Sequence, residues 1–188
     1  NSFIFSPHTR KRKPMLAPLA QRGQLLKTGK IVAVCISSQP NIPKYPQEKV
    51  EMGEYGLVGD IHAGPTRISH RTGKPKFNDR QVSIVAQEDL DFLNAQLGIV
   101  LKPGDLGENI TTQGLGSFSH VVPGMCLFFG KDVILEITEQ NDPCQHINQY
   151  HHLLVKISYR TRTRGVLAVV KAGAGSKIHP GDMICLHS

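Results

Sequence analysis

Glycine and proline interrupt this chain too often for it to be built from long helices. Eighteen glycines and twelve prolines punctuate 188 residues, and the apolar runs between them are short. That pattern fits a turn-rich β architecture rather than a helical bundle. Lys30–Ser37 is apolar on both faces, like a buried strand. Arg80–Ala86 alternates and is rich in β-branched residues, so it also reads as a strand. Gly124–Phe129 and Val133–Glu139 flank Gly130-Lys131-Asp132 and read as a hairpin. Asp105–Thr112 enters a strand through a glycine turn, Gly165–Val170 is another apolar strand, and Met183–His187 is the last. One short amphipathic helix is expected over Gln87–Leu97, with Glu88, Asp89 and Asp91 early, Leu90, Leu93 and Leu97 as its stripe, and Gly98 as its stop. Residues 38–56 and 61–79 read as polar loops, and Gly56–Asp60 as a turn. The expected fold is mainly β (α+β), a closed or nearly closed β-barrel with a few short helices. The length suits one domain with a sizeable core.

Charge divides the chain. The net charge is +7, but eight basic residues and no acidic ones precede Glu48, whereas 14 Lys and Arg face 15 Asp and Glu from there on. The excess therefore belongs mostly to residues 1–28, a basic leader containing Arg10–Lys13. It reads as a disordered tail, an organelle-targeting segment or an arm on an anionic partner. The folded domain is expected over residues 29–188. Its balanced charge argues against nucleic acid as the main partner. The chain opens on Asn-Ser-Phe rather than Met, as a fragment or processed form would. No apolar run has transmembrane length. Four cysteines without paired spacing do not make a disulfide framework, which points to a reducing, cytoplasmic or other intracellular compartment.

Three cysteines, Cys35, Cys126 and Cys185, lie in strand-like runs. Cys144 differs because it follows Pro143. With Asn141 or Asp142 as N-cap and Pro143 at the first helical position, a helix is expected to begin there and to present Ile147, Tyr150, Leu154 and Ile157. A thiol in a first helical turn is favoured as thiolate, which makes Cys144 a candidate nucleophile or soft metal ligand. A buried structural cysteine is the alternative. A Cys144–His146 pair is not expected, because positions i and i+2 on a helix do not face each other. His62 and Arg67 in the 61–79 loop, Arg80 at the start of a strand, and Gly107-Glu108-Asn109 could grip an anionic heterocyclic ligand. Nine histidines are present, but no H-E-x-x-H or C-x-x-C motif accompanies them, and there is no G-x-G-x-x-G or phosphate-binding P-loop.

Taken in order, several blocks resemble the MOSC domain, named for the C-terminal domain of molybdenum cofactor sulfurases. They are Gly56–Gly64 (GLVGDIHAG), Arg80–Ile84 (RQVSI), Gly107–Gly114 (GENITTQG), Pro123-Gly124, Pro143-Cys144 and His179–Asp182 (HPGD). The resemblance covers about residues 29–187 and is greatest to small stand-alone members. It implies a β-barrel that binds the molybdenum cofactor, a pterin dithiolene with a terminal phosphate. By the same resemblance, Cys144 would be the molybdenum ligand or a persulfide carrier, Arg80, Gln81 and Asn109 match positions near the cofactor, and Arg67 and His62 lie on a covering loop. The implied activity is reduction of N-hydroxylated compounds, such as hydroxylaminopurines or amidoximes. Electrons would come from a separate donor protein, since no iron–sulfur motif is present. Many relatives carry an arginine just upstream of Pro-Cys, where this chain has Asn141 and Asp142. A sulfur carrier built on a Cys144 persulfide and a non-catalytic module using the basic leader are the rival readings. A homodimer remains open.

Overall fold

A closed ring of seven strands forms the centre of the molecule. The computed structural model describes residues 23–188; the Arg10–Lys13 cluster and the rest of the leader up to residue 22 lie outside the described residues. Strand β1 (Leu25–Ile36) is followed by four short strands, β2 (Tyr45–Gln47), β3 (Val50–Gly53), β4 (Gly56–Leu57) and β5 (Thr66–Ile68). Next come β6 (Pro75–Phe77), β7 (Val82–Ala86), helix α1 (Gln87–Leu97) and β8 (Ile110–Gln113). The second half holds β9 (Cys126–Phe129), β10 (Val133–Gln140), helix α2 (Leu154–Thr161), β11 (Val166–Ala172), β12 (Lys177–Ile178) and β13 (Met183–His187).

The ring runs β1-β13-β9-β10-β11-β7-β8 and returns to β1. Six of its seven pairings are antiparallel. The exception is parallel β7–β8, and a parallel pair needs a crossover, which α1 supplies. Inward residues from every ring strand meet in one apolar core that includes Ile31, Val34, Ile84, Ile110, Leu127, Leu135, Val166 and Ile184, all almost fully buried. Burial of each such side chain contributes about 1.5–3 kcal/mol. A smaller core lies outside the barrel, where α1 (Leu90, Leu93) packs with Ile147 and Leu154. Helix α1 stops at Gly98 in the left-handed region, φ 64°, as a glycine cap does.

The strand boundaries follow the sequence pattern closely at β7, β9, β10 and β13. β1 starts at Leu25, ahead of the apolar run, because Leu25–Lys30 pair with β13. Two segments depart from the expected loops. Residues 45–53 contain β2 and β3, which attach to β1 and β12. Residues 66–77 form the hairpin β5–β6. Each of these four strands is only three or four residues long, too short to show alternation. Among the described residues, no helix is long and apolar enough to cross a membrane.

Candidate functional site

A cavity of about 540 Å³ opens at one end of the barrel. It lies where β1 and β10 end and β7, β8 and β11 begin, so five ring strands fix its wall. Cys144, Arg80, Asn109, Arg67 and His62 all line it. The sequence spread these residues over more than eighty positions, and the fold brings them together.

The surroundings of Cys144 correct the sequence reading. No long helix starts there. Cys144 is extended (φ −104°, ψ 161°) and precedes a five-residue 3₁₀ helix, Gln145–Gln149. The chain then breaks before α2 begins at Leu154. Ile147 and Leu154 do share an apolar face, which is why the spacing looked continuous, but they come from two helical pieces packed on one core. Asn148 bridges the break, its Oδ1 accepting from the Val155 N–H at 3.0 Å. Neither Asn141 nor Asp142 is a helix cap. The extended backbone also reverses the argument against His146: Cys144 Sγ lies 3.8 Å from His146 Nδ1. Both residues are exposed and both line the cavity.

The expected cofactor-binding residues divide by what their polar atoms already do. Gln81 does not line the cavity; its amide donates to Asn78 O (3.0 Å) and accepts from Val170 N–H (2.8 Å), tying β7 to β11. Asn109 borders the cavity but is 1% exposed, and its amide is committed. It donates to Cys35 O and accepts from the Ser83 N–H and hydroxyl, each at 3.1 Å. Arg80 is held by Glu139 through a two-pronged contact, Nε to Oε1 at 2.5 Å and Nη2 to Oε2 at 3.2 Å. Arg67 donates from Nε to Asp79 at 2.6 Å, which leaves its terminal nitrogens without a partner among the described residues. Burial would raise the Asp79 carboxyl, but hydrogen bonds from Arg67 and Lys76 outweigh it and hold the group near about 2.

Two charged residues that the sequence reading did not name as site residues, Arg164 and Lys44, line the cavity, and Glu108 is buried between two residues that do. Arg164 lines the cavity and is 7% exposed. Its Nη2 donates to Leu106 O, while its Nε and Nη1 are buried without a partner. Burial pushes its pKa below the usual value; the nearby charges of Glu108 and Cys144 push it back up. Gly165 makes this placement work. It has φ +76°, and a Cβ there would fall 2.0 Å from Ile84 O, so only glycine lets the chain run this close to β7. Asn141 N–H then donates to Gly165 O at 2.9 Å, drawing the Cys144 segment beside Arg164. The α2–β11 connection thus brings a cation to the cavity wall.

Glu108, which the sequence offered for its backbone, is fully buried. It accepts from Gly104 N–H at 2.7 Å, while its Oε2 has no partner. Burial moves its pKa upward. Lys44, counted with the leader's charges in the sequence, is 2% exposed, lines the cavity and meets Asp60 at 2.8 Å. Burial would raise the Asp60 carboxyl, but the His62 ring, its Nδ1 3.4 Å from Oδ1, and Lys44 together hold it below the usual range, with the His62 backbone N–H adding a hydrogen bond at 3.0 Å. His62 therefore sits at the rim with both its backbone and its half-exposed ring against Asp60. No motif could have flagged Arg164 or Lys44, because their burial depends on strands distant in sequence.

The cavity wall thus combines an accessible thiol, a neighbouring imidazole, and guanidinium groups with donors to spare. An anionic ligand with a soft-metal or sulfur centre suits that set.

Comparison with known proteins bears on the fold and the family. The chain is 24% identical over 177 residues to YuaD of Bacillus subtilis strain 168, covering 86% of this chain and 91% of that protein. YuaD is named as a candidate metal-sulfur cluster biosynthesis protein. The crystal structure of the YuaD protein superposes with a TM-score of 0.77 at 24% identity, covering 88% of this chain and 99% of that one. YiiM from Escherichia coli has the same fold, with a TM-score of 0.60 at 20% identity over 85% of this chain and 70% of that one. YiiM from Geobacillus stearothermophilus gives 0.63 at 19% over 85% and 75%. The MOSC domain family matches residues 58–185, which take in the Asp60, Arg80, Asn109, Cys144 and Arg164 positions, and the chain belongs to that family.

Proposed function

We infer that the cavity binds a molybdenum cofactor and that the protein is an oxidoreductase acting on small N-hydroxylated compounds. One observation carries this reading: the Cys144 thiol opens into a basic cavity of ligand size together with Arg80, Arg67 and the buried Arg164. Its volume of about 540 Å³ falls within the range of roughly 300–1,000 Å³ typical of small-molecule and cofactor sites. The donor set fits the group. Cys144 would hold the molybdenum, since a thiolate is a soft ligand. Arg164, whose buried Nε and Nη1 lack partners, and Arg67 would offset the anionic parts. Asn109 shapes the wall by fixing the starts of β7 and β8 rather than by contact through its amide.

When bound, the cofactor supplies the two-electron exchange that an N–O reduction needs. The protein's part is to orient and to manage protons. His146 Nδ1, 3.8 Å from Sγ, can take the thiol proton when Cys144 becomes a ligand. Electrons would come from a separate donor protein, in a reducing intracellular setting. The test is metal and pterin analysis of full-length protein made in a host that synthesises the cofactor. Molybdenum and pterin near one per chain, both lost in Cys144→Ser, support the reading; metal-free protein from such a host overturns it.

A second reading has its own support. Cys144 is exposed and YuaD is named for metal-sulfur cluster biosynthesis. Both suit a carrier in which Cys144 holds a sulfane sulfur for delivery. Cyanide-labile sulfur without pterin, absent in Cys144→Ser, would select this reading.

A further inference from the structure

The β5–β6 hairpin pairs only with itself among the described strands and stands at the cavity mouth. Its two faces differ. Side chains of cross-strand partners share a face, so Arg67 and Lys76 lie together. Both grip Asp79, each at 2.6 Å, and this clamp fixes the hairpin to the start of β7. The opposite face carries Thr66 with Phe77 and Ile68 with Pro75. There Ile68 is 58% and Phe77 57% exposed, and Thr66 and Ile68 also border the cavity, so this face forms its outer lip.

Charge surrounds this apolar face unevenly. Residues 61–78 contain four Lys and Arg and no Asp or Glu. Arg67 and Lys76 are occupied by Asp79, but Arg71 and Lys74 at the hairpin tip have no partner among the described residues. The complementary surface is an apolar patch flanked by carboxylates. A nucleic acid fits less well, since a strand of bases needs a series of aromatic platforms and the hairpin carries one aromatic, Phe77.

We propose that this face of the hairpin, with Arg71 and Lys74, docks a small acidic electron-carrier protein of the ferredoxin or flavodoxin class at the mouth of the Cys144 cavity. The identity of the partner rests on the reductase reading, which needs a protein that delivers electrons at the cavity. The contact is small and transient, as such encounters are, and charge steers it, so it weakens with salt.

The test titrates the full-length protein at low ionic strength with a purified plant-type ferredoxin and a purified flavodoxin. A single-stranded oligothymidylate serves as the alternative ligand. At least one carrier should bind with a Kd in the micromolar range. Arg71→Glu/Lys74→Glu should weaken it about tenfold or more and Phe77→Ser several-fold. None of these three residues lines the cavity, so substrate turnover driven by reduced viologen should be unchanged in both variants. The proposal is overturned if neither carrier binds, if carrier binding ignores these substitutions, or if the oligonucleotide binds more tightly and shows the same losses. Absence of viologen-driven turnover in the unsubstituted protein would instead sink the reductase reading, leaving a hairpin-dependent carrier complex to stand.

Discussion

The barrel interior and the cavity end treat polar groups in opposite ways. Inside the ring, strand after strand contributes apolar side chains to one continuous core. At the cavity end four charged side chains, Lys44, Asp60, Glu108 and Arg164, are buried. Glu108 Oε2 and Arg164 Nε and Nη1 are left there without hydrogen bonds. Stranded polar atoms are costly, on the order of 1–3 kcal/mol each. Arg164 borders the cavity together with Cys144, so its unpartnered donors stand where an anionic ligand could meet them.

The largest test breaks the charged end. Asp60→Asn leaves the buried Lys44 ammonium without its counter-charge and should cost about 3–5 kcal/mol in urea denaturation. The pH dependence fixes the sign. Asp60 is held below the ordinary carboxylate value, so its contribution is full above about pH 4 and is lost as pH falls below that. The unsubstituted protein should therefore lose stability on that acid side more steeply than Asp60→Asn does. A matching slope in the two would refute the pairing. Leu127→Ala in the barrel, fully buried, should cost about 2–5 kcal/mol by opening a cavity, with no pH signature and with cofactor or sulfur content intact. Arg80→Ala breaks a partly exposed ion pair with Glu139 and should cost under about 1 kcal/mol. Cys144→Ser should alter stability least, by no more than about 0.5 kcal/mol, while abolishing retention of metal or sulfane sulfur. Unfolding of Cys144→Ser at neutral pH would show that the thiol is structural.

The same division explains what could be read from the sequence. β10, β13 and α1 were legible because burial on one face leaves alternation or a helical stripe, and β7 and β9 because a strand buried on both faces leaves a short apolar run. Cys144 was legible as unusual, but its conformation was not. Ile147 and Leu154 serve one core from two helical pieces, and periodicity alone cannot see the break between them. That error also hid His146. Gln81 and Asn109 fell within family blocks, yet their amides bond to the barrel's own backbone and side chains, because a motif residue can hold the wall of a site as readily as face it. Arg164 and Lys44 were invisible as site residues, since an arginine after a helix and a lysine in a proline-rich stretch resemble solvated surface until distant strands enclose them.

Closure of the ring between β1 and β13 has a kinetic consequence. The Gln24 N–H reaches Ser188 Oγ across 164 positions of sequence, and β1 joins its two ring neighbours, β8 and β13, only over long separations. Bringing such distant segments together pays loop-closure entropy before the contacts form, and proteins of this kind fold slowly. Pairing of β1 with β2 and β8 can come first, but the ring itself closes only when β13 is available to β1. The cavity end is assembled from strands on both sides of that seam, so the Cys144 site matures only when the barrel shuts.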